Sequence, residues 1–319
     1  MSSYTKGLVS VGVPTFNRPE GLRRTLAQLT AQTYPDLEII VSDNASPNEQ
    51  TREVAEEFAA HDERVRYIRQ PVNMGAAANF DFVLRQGRGE FFMWAADDDE
   101  WHPEFVEKCL ENIGSAVSAV SGSVIWYRVR NYREPVAMPP VNPRLGTYQN
   151  LKLFLASMAP GFIYGVHRRE NIEWVLSETQ FDWWDCYFVA RQIARGGFAT
   201  YPDVYLTLGI DTEFYVLKPF HPRKGRVFRY VPFLRSIAVL LVQTPELSLW
   251  QKLAVFNVAL DYMANAFAKY ESEARPSQVR VVRKLHIVKW YLLQAFARAR
   301  RWRHALRRAL EGGRSSAAA

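Results

Sequence analysis

Phe91-Phe92-Met93-Trp94-Ala95-Ala96-Asp97-Asp98-Asp99 is the stretch on which the fold turns. Six apolar residues run straight into three carboxylates. The apolar part reads as a buried strand. Adjacent carboxylates repel, and their crowding becomes favourable when a hard cation and its anionic ligand sit against them. In open α/β sheets, ligands bind beyond the carboxyl ends of the strands. The stretch therefore predicts a metal–phosphate site about a third of the way along the chain. Taken alone, the aspartates would also suit a solvated acidic turn before a helix opened by Pro103.

The chain on the amino-terminal side alternates in type. Residues 8–13 predict a buried strand stopped by Pro14, and residues 20–33 a helix with apolar positions 22, 26 and 29 on one face. Residues 38–42 and 65–69 predict strands. Residues 48–60 and 75–86 predict helices, the second ended by Gly87. The βαβαβαβ order argues for an α/β fold with a mostly parallel sheet and helices on both faces. Beyond the aspartates the pattern loosens. Residues 118–127 predict a strand, and 128–149, with Pro135, Pro139, Pro140 and Pro143, a loop. Helices are expected at 151–158, 174–177 and 185–194, and a last strand at 204–208. Residues 212–230 read as a mobile loop. From Val231 the pattern is helical, with breaks near Pro245 and Pro276.

Composition narrows the class. The 319 residues are 48% apolar, enough for a sizeable core. Cys109 and Cys186 are the only cysteines and lie in no ligand pattern, so a disulfide scaffold or zinc module is not expected and a reducing compartment fits. The N-terminus lacks the apolar core of a signal peptide, and no window has the ~18 uninterrupted apolar residues of a spanning helix. The net charge of +7 is uneven. Residues 269–319 hold 13 Lys/Arg against 3 Glu, leaving the rest mildly acidic. An anionic partner for the tail follows.

Three predicted strand ends carry polar residues to one sheet edge: Pro14-Thr15-Phe16-Asn17-Arg18, Ser42-Asp43-Asn44-Ala45-Ser46 and Asp97-Asp98-Asp99. Such convergence is the geometry of a nucleotide pocket. Neither GxGxxG nor GxxxxGK[ST] is present, which argues against dinucleotide dehydrogenases and P-loop NTPases. These segments, with Asn73-Met74-Gly75, Asn79, Gly89-Glu90-Phe91 and Glu100-Trp101-His102-Pro103, occur in an order and spacing that resembles the nucleotide-sugar-binding half of family 2 glycosyltransferases. Their fold is the Rossmann-like GT-A fold.

The resemblance implies roles. Pro14, Thr15 and Asn17 would line the nucleotide pocket, with Arg18 meeting phosphate charge. Asp43, beside Asn44, would accept a hydrogen bond from the base, often uracil in this family. Asn73, Gly75 and Asn79 would shape the pocket wall. Asp98 would approach ribose or diphosphate, and Asp99 would bind Mg²⁺ or Mn²⁺. Many relatives carry an Asp where this chain has Ala96, so either Asp97 substitutes or Asp99 and phosphate oxygens hold the cation alone. Many also carry an Arg where Ala78 stands, leaving phosphate charge to Arg18 or to Arg223-Lys224. An acceptor hydroxyl must lose its proton as it attacks. Asp185, six residues before Arg191 in a segment ending at Gly196, matches the spacing of the family's base; Asp182 is the second candidate. Gly161-Phe162-Ile163-Tyr164-Gly165 resembles an acceptor-side floor, and His221 is a weaker candidate cation ligand.

In the tail, apolar residues at 285, 288, 292, 296, 299, 302, 306 and 310 form one helical stripe beside Arg298, Arg300, Arg301, Arg303, Arg307 and Arg308. That composition suits a helix lying on anionic lipid, or a helix packed on the body with a solvated basic face. No nucleic-acid motif accompanies the charge. The expectation is a GT-A domain over residues 1–230, with a nucleotide-sugar half (1–115) and an acceptor half (116–230), and a basic helical extension over 231–319 with a disordered end. The expected activity is metal-dependent, inverting sugar transfer from a nucleotide-diphosphate sugar to a glycan hydroxyl, lipid-linked, in cell-surface polysaccharide or lipopolysaccharide synthesis on the inner face of the membrane. A soluble or protein acceptor, or a non-catalytic nucleotide-sugar-binding scaffold, are the alternatives.

Overall fold

A computed structural model describes residues 4–114, 119–122, 124–129, 132–137, 139–158, 160–172, 181, 183–201, 206–209 and 230–270. The first four strands are β1 (Thr5–Thr15), β2 (Leu37–Asp43), β3 (Val65–Arg69) and β4 (Gly89–Trp94). Helices α1 (Pro19–Thr30), α2 (Glu49–His61) and α3 (Ala76–Gln86) connect them. β1 pairs in parallel with β2 on one side and with β4 on the other, and β2 pairs in parallel with β3. Val9, Val11, Val13, Ile39, Ile40, Val41, Phe92, Met93 and Trp94 are fully buried. Sheets covered on both faces need such continuous apolar runs.

Local chemistry sets the element ends. Pro19 opens α1, where its missing N–H has no helical partner to lose. Asn48 Oδ1 accepts from the Gln50 N–H and caps α2. Gly75 precedes α3 at φ 84°, a conformation glycine adopts without strain. β1 does not stop at Pro14 as expected. Its pairing with β4 ends at Gly12 and Trp94, so Pro14 pairs only toward Ser42 of β2. A missing N–H is tolerated where one side of the strand has no ladder.

The chain continues through β5 (Glu100–Trp101), α4 (Phe105–Ile113), β6 (Ala119–Gly122), β7 (Val124–Val129), β8 (Tyr132–Ala137), α5 (Gly146–Ser157), β9 (Val166–Arg168), α6 (Trp184–Ala194), β10 (Phe198–Tyr201), β11 (Leu206–Gly209), α7 (Tyr230–Val242) and α8 (Leu249–Tyr270). One sheet has the order β10-β6-β9-β4-β1-β2-β3, and a four-stranded sheet has the order β5-β11-β7-β8. β9 runs antiparallel to both β4 and β6, while β10 and β6 are parallel. The larger sheet is thus mostly parallel, as expected, with one reversed strand. The first compact unit ends at Phe256, within α8.

Two further expectations need correction. The single strand at 118–127 is two strands in different sheets, β6 and β7. A uniformly β-prone run carries no mark of where the chain changes sheet. The loop expected at 128–149 contains β8, antiparallel to β7, with Pro135 opposite Trp126. β8 is an edge strand, where proline is allowed. The helix expected at 174–177, residues 212–229 of the loop expected at 212–230 and the basic tail from 271 lie outside the described residues, while Tyr230 opens α7.

Candidate functional site

The acidic loop that follows β4 packs under the start of α1. Gly21 sits so close that a Cβ there would lie 2.1 Å from the Asp97 carbonyl oxygen. Thr25 Oγ1 donates to the Ala96 carbonyl at 3.2 Å. Thr15 Oγ1, at the end of β1, donates to Asp97 Oδ2 at 2.7 Å. Arg18 Nη1 reaches Asp98 Oδ2 at 2.6 Å and Asp97 Oδ1 at 3.2 Å. Asp97 and Asp99 are buried and Asp98 is half-buried. Burial pushes the Asp97 carboxyl up to about 6, with Arg18 opposing and Asp98 adding to the shift. Burial also works against the Arg18 charge, but the two carboxylates outweigh it and hold its pKa above the ordinary value.

Beside this loop, the end of β2 forms a second polar turn. Asp43 is wholly buried; Oδ1 accepts from the Ser46 N–H at 2.8 Å and Oδ2 from the Tyr67 hydroxyl at 3.0 Å. The Arg69 Nε lies 4.0 Å from Oδ2. Asn17, at φ 57°, donates its N–H to Ser46 Oγ at 2.7 Å, and the Asn44 N–H reaches the Thr15 carbonyl at 3.0 Å. The turns after β1 and β2 are therefore stitched together. Asn44 Nδ2 donates to Asn73 Oδ1, which also accepts from the Gly75 N–H, both at 2.9 Å. Asn79 is buried against β2, exchanging bonds with the Ser42 hydroxyl at 2.5 Å and the Ser42 carbonyl at 2.9 Å. Exposed Phe16 and Met74 border these turns.

Asp185 lies in the first turn of α6, half-buried, with Oδ1 accepting from the Cys186 N–H at 2.8 Å. Burial raises its pKa, and the backbone bond from Cys186 opposes that. Rings on either side of it fix the helix start. Trp184 meets Phe80 of α3 at 5.7 Å between centroids, and Phe188 meets Trp94, the last residue of β4, at 5.4 Å. Asp185 is thereby held on the side of the sheet where β4 ends. The 161–165 segment falls largely in a 3₁₀ turn, Pro160–Tyr164, with Tyr164 edge-on to Trp101 at 6.0 Å. Asp182, His221, Arg223 and Lys224 lie outside the described residues.

Pro14, Thr15, Asn17, Arg18, Asp43, Asn44, Asn73, Gly75 and Asn79 thus share one sheet edge with Asp97, Asp98 and Asp99. Ser46 and Tyr67, which hold Asp43, escaped the sequence reading. Ser46 was visible in the quoted motif as a turn residue, whereas Tyr67 in a five-residue strand carries no signal of its role. Asp97, Asp98 and Asp99 offer oxygen donors, the type a hard cation takes, and among the described residues Arg18 is the guanidinium bonded to two of them. Among the described residues no three His, Cys, Asp or Glu side chains converge as a ligand group. Mg²⁺ commonly takes one or two protein carboxylates and completes its shell with water and phosphate.

A family profile described as "Glycosyl transferase family 2" matches residues 10–173, just over half of the chain. The chain belongs to glycosyl transferase family 2. Its matched stretch opens in β1 and covers every residue of the polar edge just described, and Asp185 lies beyond it. Among curated family relatives, it is 39% identical over 118 residues to a GalNAc(5)-diNAcBac-PP-undecaprenol beta-1,3-glucosyltransferase of Campylobacter jejuni, covering 37% of this chain and 38% of that protein. It is 28% identical over 123 residues to glycosyltransferase AglE of Haloferax volcanii, covering 38% and 40%. The chain thus aligns with less than half the length of either. Among solved structures, S. aureus TarS 1-349 in complex with UDP superposes with a TM-score of 0.59 at 16% identity, covering 82% of this chain and 72% of that one. The same fragment with UDP-GlcNAc gives 0.59 at 15%, covering 83% and 74%. At such identities the likeness is one of fold, and the family 2 chain has the GT-A arrangement.

Proposed function

We propose that this protein is an inverting glycosyltransferase that moves a sugar from a nucleotide-diphosphate sugar to a hydroxyl of a glycan acceptor. The observation that carries this reading is the meeting of the β1, β2 and β4 ends around Thr15, Arg18, Asp43 and the acidic loop, in a chain of this family. A nucleotide would lie along that edge, its base toward the Phe16, Asn44 and Met74 side. There it would meet Asp43, which is wholly buried in the turn, once Ser46 or Tyr67 yields one of its oxygens. Asp99, aided by Asp97 or phosphate oxygens, would hold Mg²⁺ or Mn²⁺, which neutralises charge on the departing diphosphate. Asp185 would take the proton of the acceptor hydroxyl as its oxygen attacks the anomeric carbon. The new glycosidic bond forms as the bond to the diphosphate oxygen breaks, and the nucleoside diphosphate leaves with the bonding pair.

A lipid-linked acceptor is the favoured choice. The Campylobacter relative is named for an undecaprenol-diphosphate substrate, and the basic tail would hold the enzyme at an anionic bilayer. The cytoplasmic face of the cell membrane, in cell-surface polysaccharide assembly, is the matching location. Calorimetric titration with UDP, GDP and dTDP, each with and without Mn²⁺, tests the donor site. Mn²⁺-dependent binding of one of them, weakened at least about tenfold in Asp99→Ala, is expected. No binding of any nucleotide would remove the donor-site assignment and leave the scaffold reading without its ligand as well.

A further inference from the structure

Arg18 is the charge that balances the acidic loop. One of its nitrogens bonds Asp98 at 2.6 Å and Asp97 at 3.2 Å, while Thr15 holds the other Asp97 oxygen. Two of the three carboxylates that would attract a divalent cation therefore already carry a guanidinium. A cation arriving at the same oxygens meets a like charge at contact range, where repulsion is strong. A diphosphate changes that balance, because its anionic oxygens match the guanidinium fork as well as a carboxylate does. The surroundings allow an exchange without refolding. The backbone on either side is pinned by the Asn17 N–H bond to Ser46 and by Pro19 at the start of α1. The Arg18 side chain itself keeps 24% of its surface open to solvent.

We propose that Arg18 is a positioning residue that changes partners, from the Asp97–Asp98 pair in the donor-free protein to the diphosphate of the bound donor. The exchange rests on the donor-site reading above and adds a coupling to it. The cation on Asp99 gains Asp97 as a second carboxylate only when the diphosphate draws Arg18 away, and the diphosphate gains a guanidinium only when the cation replaces it on the loop. Cation and nucleotide then bind synergistically, and the cation alone binds weakly.

The test is Mn²⁺ affinity, read from the electron paramagnetic resonance of free Mn²⁺, for the wild type, Arg18→Gln and Arg18→Lys, with and without UDP, GDP or dTDP. Without nucleotide, Arg18→Gln is expected to bind Mn²⁺ about tenfold more tightly than the wild type, and Arg18→Lys less so, since it keeps the charge but loses the fork. Nucleotide should tighten Mn²⁺ binding to the wild type by about tenfold and change Arg18→Gln little. Melting curves establish that each variant is folded, and Arg18→Lys carries the comparison if Arg18→Gln is not. Equal Mn²⁺ affinity in wild type and both variants without nucleotide overturns the exchange, even where a nucleotide binds. A wild type that binds none of the three nucleotides, with or without Mn²⁺, overturns the donor reading and the exchange with it.

Discussion

Asp97 and Asp185 are two carboxyls raised by burial but placed in different company. Asp97 has Thr15 and Arg18 on its oxygens, so the Arg18 charge opposes its proton. Asp185 has a backbone N–H and a half-open position at a helix start, the setting of a group that exchanges protons with a ligand. Asp185→Asn is nearly isosteric and cannot accept the proton. It should lower transfer by about 10² to 10⁴-fold while donor binding stays within about twofold, the range spanned by general bases. Loss of nucleotide binding in that variant would instead make Asp185 part of the donor site. The sign of its shift also sets a pH profile. A base works only when deprotonated, so activity should fall on the acid side at a higher pH than an exposed aspartate would give. Asp185→Glu, if active, should retain an acid limb, and Asp185→Asn should have none above its residual rate.

At the scale of the element, β9 is the reversed strand that joins the two ends of the larger sheet, and His167 is its buried centre. Its ring is caged by Trp94, Phe188 and Phe198, with Nε2 against the Ile163 carbonyl at 2.9 Å. Burial pushes its pKa down to about 4. The folded value lies below that of the unfolded chain, about 6.5. Its contribution is therefore present above pH ~6.5 and is lost as pH falls toward ~4, by up to about 3 kcal/mol. Asp97 acts in the opposite sense. Its folded value is raised, so the stability it contributes fades as pH rises from ~4 to ~6. The two overlap, and a single melting curve against pH would hide both. The difference between wild type and His167→Phe isolates the histidine. The variant should gain on the wild type as pH drops from 7 to 4 in denaturant titrations. A constant difference would mean that His167 is not held neutral.

At the scale of the whole molecule, residues 271–319, which lie outside the described residues, carry the excess of positive charge. Among the described residues, no helix is long and apolar enough to cross a membrane. The proposed lipid binding rests on the composition of the basic stretch at Arg298, Arg300, Arg301, Arg303, Arg307 and Arg308. The full chain should sediment with vesicles rich in anionic lipid, much less with neutral ones, and release near 0.5 M salt, by an order-of-magnitude estimate from charge screening. Gln at those six arginines should weaken this by about tenfold or more and leave nucleotide affinity alone. Sedimentation unchanged by salt and by the substitutions would locate lipid binding elsewhere.

Much of the parallel half was legible in the chain itself. Strands buried on both faces must be continuous apolar runs, helices must show a 3.6-residue stripe, and like charges at a strand end must have a use. Those rules are local, and 65–69 and the ends of α2 and α3 follow from them within a residue or two. The family motifs are equally local, so the residues of the polar edge are legible in the sequence. What only the tertiary structure decided depends on partners far apart in sequence. Pro14 stays in β1 because β4 has ended beside it; residues 119–129 divide between two sheets; Pro135 survives because β8 is an edge. Arg18 could be read from sequence as a phosphate ligand, but its bond to carboxylates 79 and 80 residues away exists only once β1 and β4 lie side by side. Periodicity records how much of a residue is buried, whereas the identity of its neighbour is set by the topology of the sheet.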